Sequence, residues 1–104
     1  MSNEIIIEKL SEKNFNDFIY LIEKLAEYEK LEPPNREAKT RLKNDGLDDN
    51  PKYEAYLGKF NGEYVGYIIF YMTYSSFLAL PTLFLEDIFV LSEFRKKGLG
   101  QKMF

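Results

Sequence analysis

Two short stretches hold most of the side chains that could do chemistry. The first is Arg95-Lys96-Lys97-Gly98-Leu99-Gly100, three adjacent cations followed by two glycines one residue apart. Glycines let backbone N–H groups come close to an anion, and a helix opening behind them presents unpaired donors and a positive dipole end. That combination suits a pyrophosphate. Other anion motifs fit less well. A Walker A loop needs Gly-Lys-Ser/Thr, but Gly100 is followed by Gln101; a Rossmann fingerprint wants a third glycine near Met103 and a strand directly before Gly98. Taken alone, the loop is also compatible with a surface turn of solvated basic residues.

The second stretch is Glu86-Asp87, two acids inside the apolar run from Thr82 to Val90. Neighbouring side chains of an extended strand point to opposite faces, so both carboxylates are not expected on one solvated side. An unpaired buried carboxylate is costly, so at least one should face a polar cleft or a cation. Partly desolvated there, it would have a raised pKa and could take a proton from an ammonium, directly or through water. Taken alone, the pair reads more readily as acids on an edge strand that cap a loop or pair with a lysine.

What is missing narrows the chemistry further. The 104 residues contain neither Cys nor His. Disulfides, thiolate metal sites, a cysteine nucleophile and the usual Ser-His pair are therefore excluded within them, and no metal site is expected. Acid–base work falls to Asp, Glu, Tyr, Lys or water. A net charge of −3 argues against a nucleic-acid groove and is compatible with a cationic ligand. No apolar run approaches a membrane span, and the first residues lack a basic, apolar signal sequence, so a cytoplasmic protein is expected, with neither nucleic acid nor membrane as partner.

The elements that must position these residues are readable from pattern. Glu4 to Leu10 opens with three isoleucines and reads as a short buried strand. Asn14 is a good N-cap for a helix carrying Phe15, Phe18, Ile19, Ile22, Leu25 and Ala26 on one face, with Pro33-Pro34 as its stop. A weaker helix is expected over Asn35 to Asp45, with Ala38 and Leu42 inward and Gly46 at its C-terminal end. Leu47 to Pro51 is turn chemistry. Strands over Tyr53 to Phe60 and Glu63 to Thr73 flank Asn61-Gly62, a strong hairpin signal, and the second of them is apolar or aromatic on both faces, as a central strand would be. A loop from Ser75 to Pro81 should lead into the strand over Thr82 to Val90. A helix should then open at the basic loop. Only Gln101 to Phe104 follow Gly100, barely one turn, whereas isolated helices need ~12 residues to persist. Residues 1–104 therefore read as a single but incomplete domain.

Leu85 to Gly100 as a whole resembles the acetyl-CoA-binding motif of the GNAT superfamily: a strand, then Arg/Gln-x-x-Gly-x-Gly/Ala, then a helix. The Leu85-Glu86-Asp87-x-Phe89-Val90 wording is similar to the spermidine/spermine (diamine) acetyltransferases in particular. Leu25 to Glu32 is similar to their first-helix segment, Asp45 to Tyr53 to their second-helix exit, and Phe70 to Tyr74 to their third strand. The resemblance spans almost the whole chain in order. It implies an α/β (α+β) class and the N-terminal portion of the GNAT acyltransferase fold. The order would be strand, two helices, three strands and the start of a third helix, around a mostly antiparallel sheet.

The same resemblance implies an N-acetyltransferase that passes an acetyl group directly from acetyl-CoA to a primary amine of a small polyamine-like or lysine-like substrate. The backbone of Ile88, Phe89 and Val90 would pair with the pantetheine arm. Arg95, Lys96, Lys97, Gly98, Leu99, Gly100 and Gln101 would hold the pyrophosphate. Glu86 would help deprotonate the amine, Asp87 would line the substrate channel, and Tyr28 and Glu29 would contact the substrate. Ser75 and Phe77 stand where the polyamine enzymes carry an acid and a Trp, so one carboxylate contact for a long polycation is missing. A related branch acetylates lysine-like amino acids such as thialysine. The family's general-acid Tyr would lie beyond Phe104. Expected partners are the amine and a second copy of the chain, as a homodimer. The alternative is a truncated, non-catalytic GNAT module that binds acetyl-CoA or a protein partner.

Overall fold

A computed structural model of the chain describes residues 5–97. The order is β1 (Ile5–Lys9), α1 (Phe15–Glu29), α2 (Arg36–Leu47), β2 (Glu54–Phe60), β3 (Glu63–Ser75), β4 (Leu80–Val90) and a 3₁₀ turn over Ser92–Lys97. The strands lie in the order β1-β2-β3-β4 with every neighbouring pair antiparallel. This is the expected GNAT-type arrangement, and β3 is an inner strand as its two-sided apolar pattern requires.

The apolar stripe of α1 packs onto the sheet. Phe18 and Leu21 are fully buried and meet Leu57 and Tyr67 in the main core, with Phe18 edge-on to Tyr67 at 5.5 Å between ring centres. Removing the Phe18 ring would cost about 3–5 kcal/mol, the usual scale for emptying such a site. Phe89 belongs to this core, whereas its neighbour Val90 belongs to a smaller cluster with Phe60 and Val65. Successive residues of a strand face opposite ways, so the end of β4 is buried on both faces.

Several boundaries differ from the sequence reading. Asn14 makes no side-chain cap to α1. It is 1% exposed, and its amide instead stitches the β1–α1 link, accepting from the Ser11 N–H at 2.8 Å and donating to the Lys9 carbonyl at 3.1 Å and to Glu8 at 3.3 Å. Helix α1 ends at Glu29, ahead of Pro33, because Lys30 adopts a left-handed conformation (φ 58°) and the Leu31 N–H folds back to the Ala26 carbonyl at 2.8 Å. Gly46 lies within α2 rather than beyond its end. A Cβ there would collide with the Tyr53 ring, whose hydroxyl donates to the Leu42 carbonyl at 2.6 Å and ties β2 to α2. The expected loop from Ser75 to Pro81 is shorter. Strand pairing runs out to Ser75 and Leu80, leaving a four-residue turn with Ala79 at φ 55°.

Candidate active site

The decisive local feature is a register shift between β3 and β4. Ile69 faces Asp87 and Phe70 faces Leu85, so Glu86 is an extra residue with no partner across the ladder. Such a bulge breaks the alternation of side chains and bends the strand. Glu86 and Asp87 consequently line the same cavity, of about 500 Å³, between the sheet and the two helices. The expectation that adjacent acids must face apart is overturned here, because it holds only for a regular strand.

The rest of the cavity comes from α1, α2, β3 and the links that follow the two helices. Ile22 and Leu25 of α1, Leu42 of α2 and Ile69 of β3 give apolar walls; Tyr53, Tyr67, Tyr71 and Glu32 add polar groups. Among the described residues, no Lys or Arg lines it, and none forms an ion pair with Glu86 or Asp87. The lysine partner considered for these acids is therefore not found there.

The carboxyl that burial affects is Asp87. Desolvation raises its pKa, with the charges of Glu86 and Glu29 acting in the same direction, while a hydrogen bond from the Tyr67 hydroxyl at 3.2 Å acts against them. Burial and the neighbouring Asp87 push the Tyr67 hydroxyl far above the ordinary tyrosine range. Glu86 is exposed. Desolvation and the bulge thus fall on neighbouring residues.

Of the other residues expected at the site, Glu29 is close enough for its charge to act on Asp87 and Tyr67. Tyr28 is not brought to this cavity. It is 65% exposed and lines a separate hollow of about 340 Å³ with Tyr20, Lys24 and Glu63. Sequence reasoning had no means of singling out Tyr53, Tyr67, Tyr71 and Glu32. Tyr67 and Tyr71 sit in a strand aromatic on both faces, and which face meets the cavity depends on a β3–β4 register set by an unmarked turn, whereas Tyr53 lies in the link just before β2.

Ile88, Phe89 and Val90 lie in β4, the last strand in the sheet order of the described residues. An extended group adding to this sheet would run along such an edge. Phe89 and Val90 bury their side chains, whereas Ile88 is 39% exposed. Beyond β4, the Leu91 N–H donates to the Val65 carbonyl at 2.8 Å and Phe94 packs on Phe60 at 5.6 Å, so the 3₁₀ turn starts from a fixed point. Arg95, Lys96 and Lys97 fall in that turn. Gly98, Leu99, Gly100 and Gln101 lie outside the described residues. Among the described residues, no group of three or more His, Cys, Asp or Glu is placed to hold a metal ion, and no helix is long and apolar enough to cross a membrane.

The sequence profile of the Acetyltransferase (GNAT) family matches residues 16–104. The chain belongs to the GNAT acetyltransferase family. It is 32% identical over 107 residues to the thialysine N-epsilon-acetyltransferase of Bos taurus, covering 95% of this chain and 62% of that protein. The Mus musculus protein of the same name is 30% identical over 105 residues, covering 93% and 61%. The chain thus spans about 62% of the length of these curated relatives. Solved acetyltransferase structures agree on the fold. An aminoglycoside N-acetyltransferase, AAC(6')-Iy, in complex with CoA superimposes with a TM-score of 0.80 at 18% identity, covering 99% of this chain and 66% of that one. A ribosomal-protein-alanine N-acetyltransferase from Brucella melitensis biovar Abortus 2308 gives 0.73 at 23% identity, covering 96% and 66%.

Proposed function

We propose that residues 1–104 belong to a single GNAT domain. It carries the amine site and much of the acetyl-CoA site of an N-acetyltransferase acting on a primary amine of a small lysine-like or polyamine-like molecule. The observation that carries this reading is the bulge, which sets Glu86 and Asp87 together on the wall of an apolar cavity with no cationic lining residue among the described ones. Such a cavity favours an alkyl chain bearing ammonium groups. The curated relatives carry the thialysine name, and Ser75 and Phe77 replace the acid and Trp of the polyamine enzymes, so the lysine-like class is the better fit.

In this reading acetyl-CoA runs along the outer edge of β4 at Ile88, Phe89 and Val90. The basic loop from Arg95 to Gln101 receives its pyrophosphate. When bound, it supplies an activated acetyl thioester. Asp87 holds the distal ammonium of the substrate. Glu86, exposed at the bulge, takes a proton from the attacking ammonium, through water where the distance requires it. The free amine then forms the N–C bond as the C–S bond breaks; the sulfur leaves with the electron pair and takes up the second proton that the nitrogen gives up, so that free thiol and neutral amide result. Glu29 adds negative potential, and Tyr28 is left at most a peripheral contact.

We place the protein in the cytoplasm and propose a homodimer. The arm of the β3–β4 hairpin supports the latter: Phe77 is 99% exposed, Leu78 67% and Tyr74 65%, more apolar surface in one place than a lone subunit favours. An acetyl-transfer assay of the full chain against lysine analogues, diamines and polyamines tests the reading. Transfer to a lysine-like amine is expected. Coenzyme A binding without transfer to any amine would instead mark a non-catalytic module.

A further inference from the structure

Tyr67 is a buried phenol that the proposed reaction does not yet use. Its ring is fully enclosed, edge-on to Phe18 at 5.5 Å and tilted against Phe89 at 6.0 Å. Tyr67 pairs directly with Phe89 across the β3–β4 ladder. Asp87 lies two residues before Phe89, on the same face, at the diagonal distance that a long aromatic side chain can reach. The hydroxyl therefore arrives at the cavity wall, where it donates to Asp87 Oδ2 at 3.2 Å. The ring is clamped by the core, so the hydroxyl has little freedom to point elsewhere.

We infer that Tyr67 is a positioning residue for substrate selection: its hydroxyl fixes one oxygen of Asp87 and leaves the other to receive the distal ammonium of the amine. The inference rests on the proposed amine site. A carboxylate on a bent strand would otherwise rotate about its side-chain bonds, and holding one oxygen preorganises the second at no cost during binding. The groups that act on Asp87 are Tyr67 from β3, Glu86 beside it and Glu29 from α1; Glu32 shares the same cavity. Of these, Glu86 and Glu29 favour the neutral form. Among the described residues, the Tyr67 hydroxyl is the donor that favours the charged form, so it also helps keep Asp87 ionised for its ligand. A purely structural phenol would satisfy its own hydroxyl and leave substrate binding untouched.

Tyr67→Phe keeps the ring and removes only the donor. In the full chain, a ¹³C NMR titration of the Asp87 carboxyl should give a higher pKa in Tyr67→Phe than in the wild type. An unchanged value overturns the inference, whether or not the protein transfers acetyl groups. In steady-state assays with a lysine-like diamine, KM should rise about three- to tenfold at neutral pH, the scale of losing one ordinary hydrogen bond, while kcat stays within about twofold. The acid limb of the KM profile should move to higher pH. Adding Tyr67→Phe to Asp87→Asn should change KM no further; a full additional rise overturns the inference, because the hydroxyl would then act without Asp87. If no amine is acetylated at all, the proposed function falls, and the titration still decides Tyr67.

Discussion

A Cβ on Gly66 would stand 2.7 Å from the carbonyl oxygen of Phe89. The obstacle is backbone, so no side chain can swing aside to make room. Gly66 thereby sets how closely β3 holds β4 at the level of the proposed pantetheine edge. Gly66→Ala should destabilise the fold by about 1–3 kcal/mol, the usual cost of overpacking, and should weaken coenzyme A binding. Urea denaturation and isothermal titration check the two parts; an unchanged midpoint would show that β4 yields without cost.

Glu86→Gln keeps the shape of the side chain and removes the proton acceptor. The rate at neutral pH should fall by roughly 10²-fold, the usual scale for a general base. The loss should shrink towards pH 10 as free amine becomes available unaided. A near-normal rate at neutral pH would remove Glu86 from the chemistry.

Asp87→Asn removes a charge contact. It should raise KM for dicationic amines well above its effect on simple monoamines, with kcat less affected. Equal changes for both substrate classes would count against a distal-ammonium site.

The hydroxyl of Tyr53 titrates inside the fold. Burial, with the nearby Asp45 charge, pushes it up to about 12, whereas a tyrosine in the unfolded chain ionises near pH 10. The native state therefore holds this proton more tightly. Its contribution is complete below about pH 10 and is lost as pH rises towards 12. Tyr53→Phe should flatten part of that alkaline decline. At neutral pH it should cost about 1–2 kcal/mol, because the Leu42 carbonyl loses its donor. Chemical denaturation between pH 7 and 11 measures both.

On the acid side the sensitive group is Glu8. It accepts from the Tyr64 hydroxyl at 2.6 Å and pairs with Lys59 at 3.1 Å, and these contacts, with the Asn14 amide, hold its carboxyl below the ordinary range. Its stabilising contribution is present above the ordinary carboxylate pKa and disappears as pH falls through the lowered one. Glu8→Gln should lower the melting temperature at pH 7 and match the wild type in strong acid. A constant gap across pH would mean that the charge of Glu8 is not what matters.

Much of this architecture was legible because local chemistry and tertiary position agreed. Asn61 and Gly62 adopt positive φ at 51° and 87°, as a tight hairpin demands, and they set β2 against β3. The stripe from Phe15 to Ala26 is a helix whose buried face the spacing marks. Asn14 was read as a cap because Asn before an apolar periodicity does cap helices; that it turns towards β1 depends on contacts with Glu8 and Lys9 that no local pattern encodes. The candidate site was half legible. Glu86 and Asp87 stand out by charge, but their shared cavity depends on one extra residue in β4. A bulge carries no compositional mark when it falls at a polar residue in a strand. Tyr67 was hidden for the opposite reason, since it resembles every other aromatic in β3.

The bulge also makes the site unusually sensitive to changes in chain length. Shortening β4 by a residue elsewhere between Leu80 and Leu85 shifts every later side chain to the wrong face or strains the turn at Ala79. Deleting Glu86 itself does neither. The ladder heals, with Leu85 still opposite Phe70 and Asp87 still opposite Ile69, and the strand loses its bend together with one carboxylate. Of the single-codon deletions in this strand, this is the one expected to preserve the cross-strand pairs while stripping the site, which separates what β4 does for folding from what it does for its ligand.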